Sequence, residues 1–495
     1  MSFIDSIVGA FSPKAAYARE AWRQACDDLR QYDAGSAGRG NANWRVFNES
    51  AESSDRWNRD VIRARARDLE RNSDIAQSVV RAYRRNVVGK GFTLQAKTSS
   101  AELNNRVEAV WKIWCKAQNC DVTGTQSFNE ILRMAVERKK VDGGILILKR
   151  YTAGGPVPLT LQAIEVDELD ATQMTPKTEG NKVVGGIEYS AWNRPVGFYI
   201  RQYDIEGYQI QDAVYVPAKD VIFYFSKSRP SQIREISDLT PTITRIRDVN
   251  EFITAVSVKE RIAACLAVFI RKITPTGSGV GRSSSYQTAE EKYSYNGKRL
   301  TPGMISELNP GEEVDVVDPK GAGGDAAAFL KLQHGLIGAG QGLSYEATSR
   351  DMSQTNYSSA RQGMIEDNGT YDEEVEMLVG KILSEVYETF VISGYLAGVF
   401  DMPGFWSRKN EYLAHDWVKA PRPWIDPLKE AAANKMALNS GQKTFKQIAA
   451  ENGKDWQEML DDMAEVAAYA KTKGIDISSI IYNGVAAVTP PGNEE

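Results

Sequence analysis

Little in this chain is spaced for covalent chemistry. Ser358 and Ser359 stand side by side, yet no GxSxG turn surrounds them to present and activate a nucleophile. Asp315 with Asp318, and the run Glu373, Glu374 and Glu376, carry the oxygen ligands that a hard divalent cation takes. Acidic groups at the ends of elements more commonly serve as solvated faces or as charges at helix starts, and both sets are expected to do so. His334 reads as a packing or hydrogen-bonding residue at a helix end rather than a base. Cys26, Cys115, Cys120 and Cys265 are too sparse for a disulfide framework. With only His334 and His415 beside them, their spacing suggests no zinc site. No GxxxxGK[ST] loop occurs, and GAGQG at 338–342 follows the helical pattern FLKLQHG where a dinucleotide fingerprint follows a strand. The expectation is a chain with no catalytic residues, no metal and no cofactor.

What stands out instead is Gly335 to Asp367, GLIGAGQGLSYEATSRDMSQTNYSSARQGMIED, glycine-rich and polar between helical flanks. Such a stretch cannot bury a core of its own, so its use lies in moving, lining or contacting something. Gly338, Gly340 and Gly342 are expected to supply backbone freedom. Ser353, Gln354, Thr355, Asn356, Ser358 and Ser359 offer uncharged hydrogen-bonding groups, and Arg350 and Arg361 offer charge. A ligand loop, a hinge and a channel-lining loop all fit these residues.

The flanking elements narrow the choice. A short helix is expected at 14–32, followed by a Gly, Ser and Asn-rich link at 33–43. From Trp57 the pattern is helical, with Trp57, Val61 and Ala64 on one side and Arg59, Arg63, Arg65 and Arg67 around it. Interspersed acids such as Asp60 and Asp68 favour a solvated or intersubunit salt-bridge face for these arginines over direct phosphate contact. A second helix starts at Ser73, turns Ile75, Val79, Val80, Tyr83 and Val87 inward and stops at Gly89. Period-two runs at 92–96, 145–150, 157–164, 182–190, 196–203 and 220–225 predict strands, and helices at 101–118 and 127–141 cover them, giving an α+β body. An uninterrupted helix from Thr240, with Pro241 in its first turn, to about Arg271 is a rod of roughly 45 Å. A polar excursion with the short run VDVVDPK then leads to the helical AAAFLKLQHG. Beyond the glycine-rich stretch, Thr370 and Glu373 form the pattern of a capping box ahead of an apolar face from Tyr371 to Phe390. Three short helices close the chain, starting at Asp426-Pro427, at Thr444 with Gln447, and at Asp455 with Glu458. The last turns Trp456, Leu460, Met463, Val466 and Tyr469 inward, and the tail VTPPGNEE is expected to be disordered.

Composition is that of a folded protein, 42% apolar and 25% charged over 495 residues. A formal charge of -5 gives no whole-chain bias toward nucleic acid or anionic lipid, although charge acts by patch and not by sum. The start, MSFIDSIVGAFSPK, lacks the basic region of a signal peptide, and no window approaches a membrane span of about 20 apolar residues. Both point to assembly in cytoplasm without a membrane partner. The sequon at Asn356-Tyr357-Ser358 would then meet no glycosylation machinery.

The blocks ARDLERN at 66–72, NVVGKGFTLQA at 86–96, IAACLAVFI at 262–270, GLSYEATSRDMSQTNYSSARQG at 342–363 and the long WIDPLKEAAANKMALNSGQKTFKQIAAENGKDWQEML at 424–460 together resemble the portal proteins of lambda-type tailed bacteriophages and prophages. The resemblance runs from about residue 20 to 475. It implies an α+β, multidomain fold with wing, stem, clip and crown. Twelve copies would form a ring at one vertex of the procapsid, around an axial channel. On this chain it implies an N-terminal arm at 1–44, a wing body at 45–236, a first stem helix at 237–272 and a clip at 273–323. A second stem helix follows at 324–337, a channel loop region at 338–369, a long helix and the rest of the wing at 370–439, and a helical crown with flexible tail at 440–495. ISDLTPTI at 236–243 is more polar than the run many relatives carry, and EDNG at 366–369 leaves the following helix either continuous or kinked at Gly369.

The implied partners are further copies of the chain, the large terminase subunit, a major capsid or scaffold protein and a head-completion protein. Double-stranded DNA would pass the channel without sequence specificity, inward during packaging and outward at infection. The polar groups of the loop then read as weak contacts for a sliding polyanion, because strongly basic rings would hold it through counterion release. Arg350 and Arg361 are either contacts to the DNA backbone or intersubunit partners of Glu346, Asp351 and Glu366. A different ring-forming head-tail connector and a hydrolase with a mobile lid are the alternatives.

Overall fold

The computed structural model describes residues 12–28, 46–204, 206–265, 269–270, 306–307, 326–353, 355–421, 427–454 and 456–475. Residues 1–54 and 55–495 form separate compact units. In the first, helix α1 spans Pro13–Asp28, and the expected link at 33–43 lies outside the described residues.

The second unit opens with α2 (Arg59–Asn72) and α3 (Asp74–Tyr83). Ser73 ends the first in extended conformation and caps the second by accepting the Ala76 amide, as its position predicted. A π-helical turn at Arg84–Val88 carries α3 to Gly89, whose φ of 55° stops it. The face of α2 is the reverse of a solvated one. Trp57 and Val61 are exposed, whereas Arg59 and Arg63 are buried with Ala66 and Leu69. The reason is the fully buried Glu235, which accepts from Arg63 Nη1 at 3.0 Å and from Arg234 Nε at 2.8 Å, while Arg59 Nε donates to its carbonyl at 3.0 Å. One turn further on, Arg67 meets Asp142 at 2.7 Å and Asp167 at 2.6 Å. Charged residues recurring every four positions thus face a set of opposite charges inside the same chain.

Two cores share one strand. β2 (Gly144–Arg150) lies between β3 (Thr160–Ile164) and β8 (Val221–Phe225), antiparallel to both. Its alternate side chains Ile145 and Ile147 enter the larger core, and Leu146 and Leu148 the smaller one, which explains an unbroken apolar run. The smaller core lies under the meander β4 (Lys182–Val184), β5 (Ile187–Tyr189), β6 (Pro195–Tyr203) and β7 (Gln209–Pro217). The expected single strand at 182–190 is a hairpin, because Gly185 and Gly186 take φ of 58° and 81°. β1 (Phe92–Ala96) pairs antiparallel with β11 (His415–Lys419), drawing the far end of the chain onto the body. Helices α4 (Ala101–Trp114) and α5 (Phe128–Asp142) cover the larger core, where the Trp111 and Trp114 rings stack at 4.9 Å.

Helix α6 (Ile243–Cys265) is roughly 35 Å long at 1.5 Å per residue. It starts three residues later than expected, after a turn in which the Ile243 amide donates to Leu239 O; Pro241, which has no amide hydrogen, sits in that turn. Ile243, Ile246 and Val249 are buried at its base, while Ile253 and Val258 are exposed. Its expected continuation to residue 272 is corrected by β9 (Phe269–Ile270), which pairs in parallel with β10 (Ser306–Glu307). Apart from Ser306–Glu307, the segment from 273 to 323 lies outside the described residues.

Helix α7 (Ala326–Gln341) returns to the body. The short α8 (Tyr345–Ser349) comes next, then α9 (Tyr357–Leu378), a π-helical turn at Val379–Leu383 and α10 (Ser384–Leu396). The helix is continuous at Gly369 and does not start at Thr370, because α9 runs through both. The expected apolar face is present, with Tyr371, Leu378, Ile382, Leu383, Val386 and Phe390 buried. In the last part, α11 spans Pro427–Asn439, α12 Phe445–Glu451 and α13 Trp456–Thr472. The Thr444 and Gln447 capping box forms as the sequence predicted. Leu460, Met463, Val466 and Tyr469, expected inward, are exposed instead, because so small a helical group covers only one side of α13. The tail at 488–495 lies outside the described residues.

Candidate functional site

The glycine-rich stretch is more ordered and more helical than its composition predicts. Gly338 and Gly340 lie inside α7, so neither supplies a flexible loop. They permit close approach instead. A Cβ on Gly338 would stand 2.6 Å from Leu343 O, and one on Gly340 would stand 2.8 Å from Thr242 Cγ2 at the base of α6. Gly342 is the turn itself, with φ of 67°. The Leu343 amide donates back to Gly338 O at 2.8 Å and the Gly342 amide to Ala339 O at 3.3 Å, the paired bonds of a left-handed helix end.

The chain beyond this turn is clamped from several sides. Ser344 Oγ accepts the Ala347 amide to cap α8 and donates to Asp367 Oδ2 at 2.8 Å, while the Ser344 amide donates to Asp367 Oδ1 at 2.6 Å. Thr370 Oγ1 donates to Gly342 O at 2.8 Å. Tyr83 OH donates to Gln341 O, and Gln341 Nε2 donates to Asp238 O and Thr242 Oγ1, each at 3.0 Å. Below these, Lys139 Nζ joins Asp238 Oδ2 at 2.9 Å to Glu374 Oε2 at 2.7 Å, and Tyr224 OH donates to Glu374 Oε1 at 2.6 Å. Burial would raise the Asp238 pKa, but Lys140 and Lys139 hold it below the usual carboxylate range. Glu374 is therefore a buried ion-pair partner rather than a solvated or helix-start charge. Among the described residues no cluster of His, Cys, Asp and Glu could hold a metal. His334 packs edge-on against Tyr345, with burial depressing its pKa.

The polar residues separate into three groups. Asn356 and Ser359 are spent on their own helix, since Asn356 Oδ1 accepts the Ser359 amide at 2.8 Å and Ser359 Oγ accepts the Asn356 amide at 3.1 Å. Ser358 and Arg361 are exposed on the first turns of α9. Arg350, Ser353 and Thr355 lie in the short connection between α8 and α9, and Gln354 is outside the described residues. Arg350 ends α8 in the left-handed region at φ 61°, unusual for a residue with a side chain. Asp351 organises the connection by accepting the Ser353 amide at 2.9 Å and the Tyr345 hydroxyl at 3.1 Å. These bonds, first of all those to Ser353, hold its carboxyl below the usual range.

The candidate connection is thus Arg350–Ser353 with Thr355 and Asn356, next to the base where α6 and α7 meet the body. Met352 at the centre of it is exposed and was not singled out from the sequence, because a lone methionine carries no pattern. Arg85, close enough to act on Arg350, was also missed, since the two are joined only by folding. Burial first, and then the like charge of Arg85, lower the Arg350 pKa. Among the described residues, no helix is long and apolar enough to cross a membrane.

Comparison with known proteins agrees with this architecture. "Probable portal protein" of Halomonas phage phiHAP-1 is 25% identical over 457 residues, 88% of this chain and 86% of that protein. "Portal protein" of Escherichia phage N15 is 20% identical over 91% of this chain and 92% of its own. "Portal protein B" of Escherichia phage lambda is 20% identical over 83% of this chain and 84% of its own. A solved structure, the neck of an empty GTA particle, matches at a TM-score of 0.40 and 14% identity over 79% of this chain and 93% of that one, too loose a likeness to carry an argument. The model of the family "Phage portal protein, lambda family" matches residues 37–374, a span that includes β1 to β8, helices α6 and α7 and the clamped turn at Gly342 that follows them. This chain belongs to the lambda family of phage portal proteins.

Proposed function

We propose that copies of this chain form the ring at the portal vertex of a phage head, and that each contributes the connection Arg350 to Asn356 to the wall past which double-stranded DNA moves. The family is structural rather than enzymatic, and its members are ring-forming virion components. Twelve is the proposed subunit number. The α+β body then acts as wing, α6 and α7 as the stem, the segment 273–323 as the clip and residues beyond 440 as the crown. Large terminase docks on the ring during assembly in the host cytoplasm, a capsid or scaffold protein seats it, and a head-completion protein binds afterwards.

One observation carries the assignment of the loop. A short polar connection stands on a base locked by Gly340 against Thr242, by Ser344 on Asp367 and by Lys139 on Glu374. Such a construction holds a few weak, sequence-independent donors and acceptors at fixed positions, which suits a duplex that must slide without being trapped. The exposed apolar stripe of α13 and the exposed Ile253 and Val258 of α6 offer contact area to neighbouring copies.

Replacing Met352, Ser353 and Thr355 together with glutamate tests the reading. Rings should form normally by electron microscopy, because none of the three clamps the base, and packaged DNA per particle should fall. Wild-type packaging and retention by such rings would overturn the loop's role.

A further inference from the structure

A wide cleft lies beside the loop and shares only Arg350 with it. It is a cleft of ≈ 1620 Å³ between the end of α3, the Gly89-Lys90 turn, α5 and the connection at Arg350. Its lining is dominated by positive charge, and the acids in it are already engaged. Glu137 pairs with Arg84 at 2.8 Å, and Glu130 caps α5 through the Ser127 amide and hydroxyl. Arg133 is likewise engaged, its guanidinium forked on Gly89 O at 3.1 and 2.8 Å. Arg81, Arg85, Lys90 and Arg350 line the same concavity, and none of them has a carboxylate within ion-pair distance among the described residues.

We infer that this cleft binds the phosphodiester backbone of a nucleic acid duplex. Guanidinium groups present planar forks matched to phosphate oxygens, and three of the four uncompensated cations are arginines. Arg85 and Arg350 line the same cleft with like charge, and a polyvalent anion between them relieves their repulsion. The volume exceeds the roughly 300–1,000 Å³ of small-ligand pockets, so an extended polymer fits better than a single nucleotide. The position adds to this, because the cleft shares Arg350 with the loop assigned to the channel wall. The inference rests on that reading for its source of DNA, and it concerns a different function, holding rather than sliding. A chain of net charge -5 keeps its attraction for phosphate local in this way.

The test is equilibrium binding of a 30-base-pair mixed-sequence duplex to assembled full-length rings by fluorescence anisotropy, at salt from 50 to 200 mM. Each phosphate contact contributes about 0.9 to the slope of log affinity on log salt. Arg85→Ala with Arg350→Ala should therefore flatten the slope by about 1.8, so that the loss of affinity over this fourfold salt range shrinks about 12-fold. Arg81→Ala with Lys90→Ala should do the same through residues farther from the loop, and Arg85→Lys with Arg350→Lys should preserve the slope. The Arg81 and Lys90 pair alters no residue of the connection Arg350 to Asn356, so its salt slope stands independently of the packaging result for the loop variant, and failure of the loop reading and failure of this one are told apart. Unaltered slopes in both alanine pairs would overturn the inference. So would binding of inorganic tripolyphosphate without the duplex, which makes the cleft a small-anion site. Rings that dissociate in both pairs while wild-type rings bind no duplex would overturn it too, by showing the cleft to be a contact for acidic residues of a second copy.

Discussion

Glu235→Gln is the substitution whose consequence is most directly set by the structure. Glu235 is wholly buried and accepts three guanidinium hydrogen bonds, from Arg63 at 3.0 Å and from Arg234 at 2.8 Å twice, while Arg59 binds its carbonyl. An amide keeps the shape but removes the charge, leaving Arg59, Arg63 and Arg234 buried without their common counter-ion. Breaking one side of such a set costs roughly 3–5 kcal/mol. For the unit Asp55–Glu495 that lowers the melting temperature by about 3–5 °C. Asp60→Asn removes an exposed partner of the same Arg63 and should cost no more than about 1 kcal/mol, so it separates burial from mere pairing. Acidity supplies a second readout. Burial alone would raise the Glu235 pKa, yet Arg234, Arg59 and Arg63 outweigh it and hold the carboxyl below its ordinary value of 4.5. A carboxyl depressed in the folded state stabilises above its unfolded pKa, and this stability is lost as pH falls from there through the folded value. Wild-type protein should lose melting temperature below about pH 4.5 more steeply than the Gln variant. Thermal unfolding by circular dichroism from pH 3 to 7 measures both effects. A drop under about 2 °C at pH 7, or parallel acid limbs, would refute the reasoning.

Two further substitutions probe the base of the loop. Gly340→Val places side-chain atoms where Thr242 Cγ2 already stands, an overpacking expected to cost about 1–3 kcal/mol in urea unfolding; Thr242→Ala in the same chain should recover part of it. Asp367→Asn weakens the bonds to the Ser344 amide and hydroxyl, so limited proteolysis should cut faster between Arg350 and Asn356 while the α+β body keeps its protection.

Much of this protein was legible before any fold was known, and what was legible was local or was carried by long motifs. Ser73 and Thr444 cap helices because a side-chain oxygen three residues before an amide needs nothing else. The run ILILKR became β2, the strand between two cores, and the block from Gly342 to Gly363 pointed to the family. The misread places are those where the deciding partner lies far along the chain. Arg59 and Arg63 of α2 look solvated from their own sequence and are buried because Glu235 comes to them. Gly338 and Gly340 look like hinges and are contact points, because Leu343 O and Thr242 leave no room for a Cβ. β11 was hidden by the polar residues in HDWVK and exists because β1, more than three hundred residues earlier, offers it an edge. The apolar stripe of α13 has the opposite history, periodic enough to predict a core and left outside by a cluster too small to cover it. Sequence by itself determined most of the elements, the caps at Ser73 and Thr444 and the family, since those depend on neighbours within a few residues or on long shared motifs. The tertiary structure alone decided which charges are buried, that the polar loop shrinks to Arg350–Asn356, and that Arg81, Arg85, Lys90 and Arg350 line one cleft. The physical reason is that burial and electrostatic potential are set by distances in space, and residues that fix them here stand far apart along the chain.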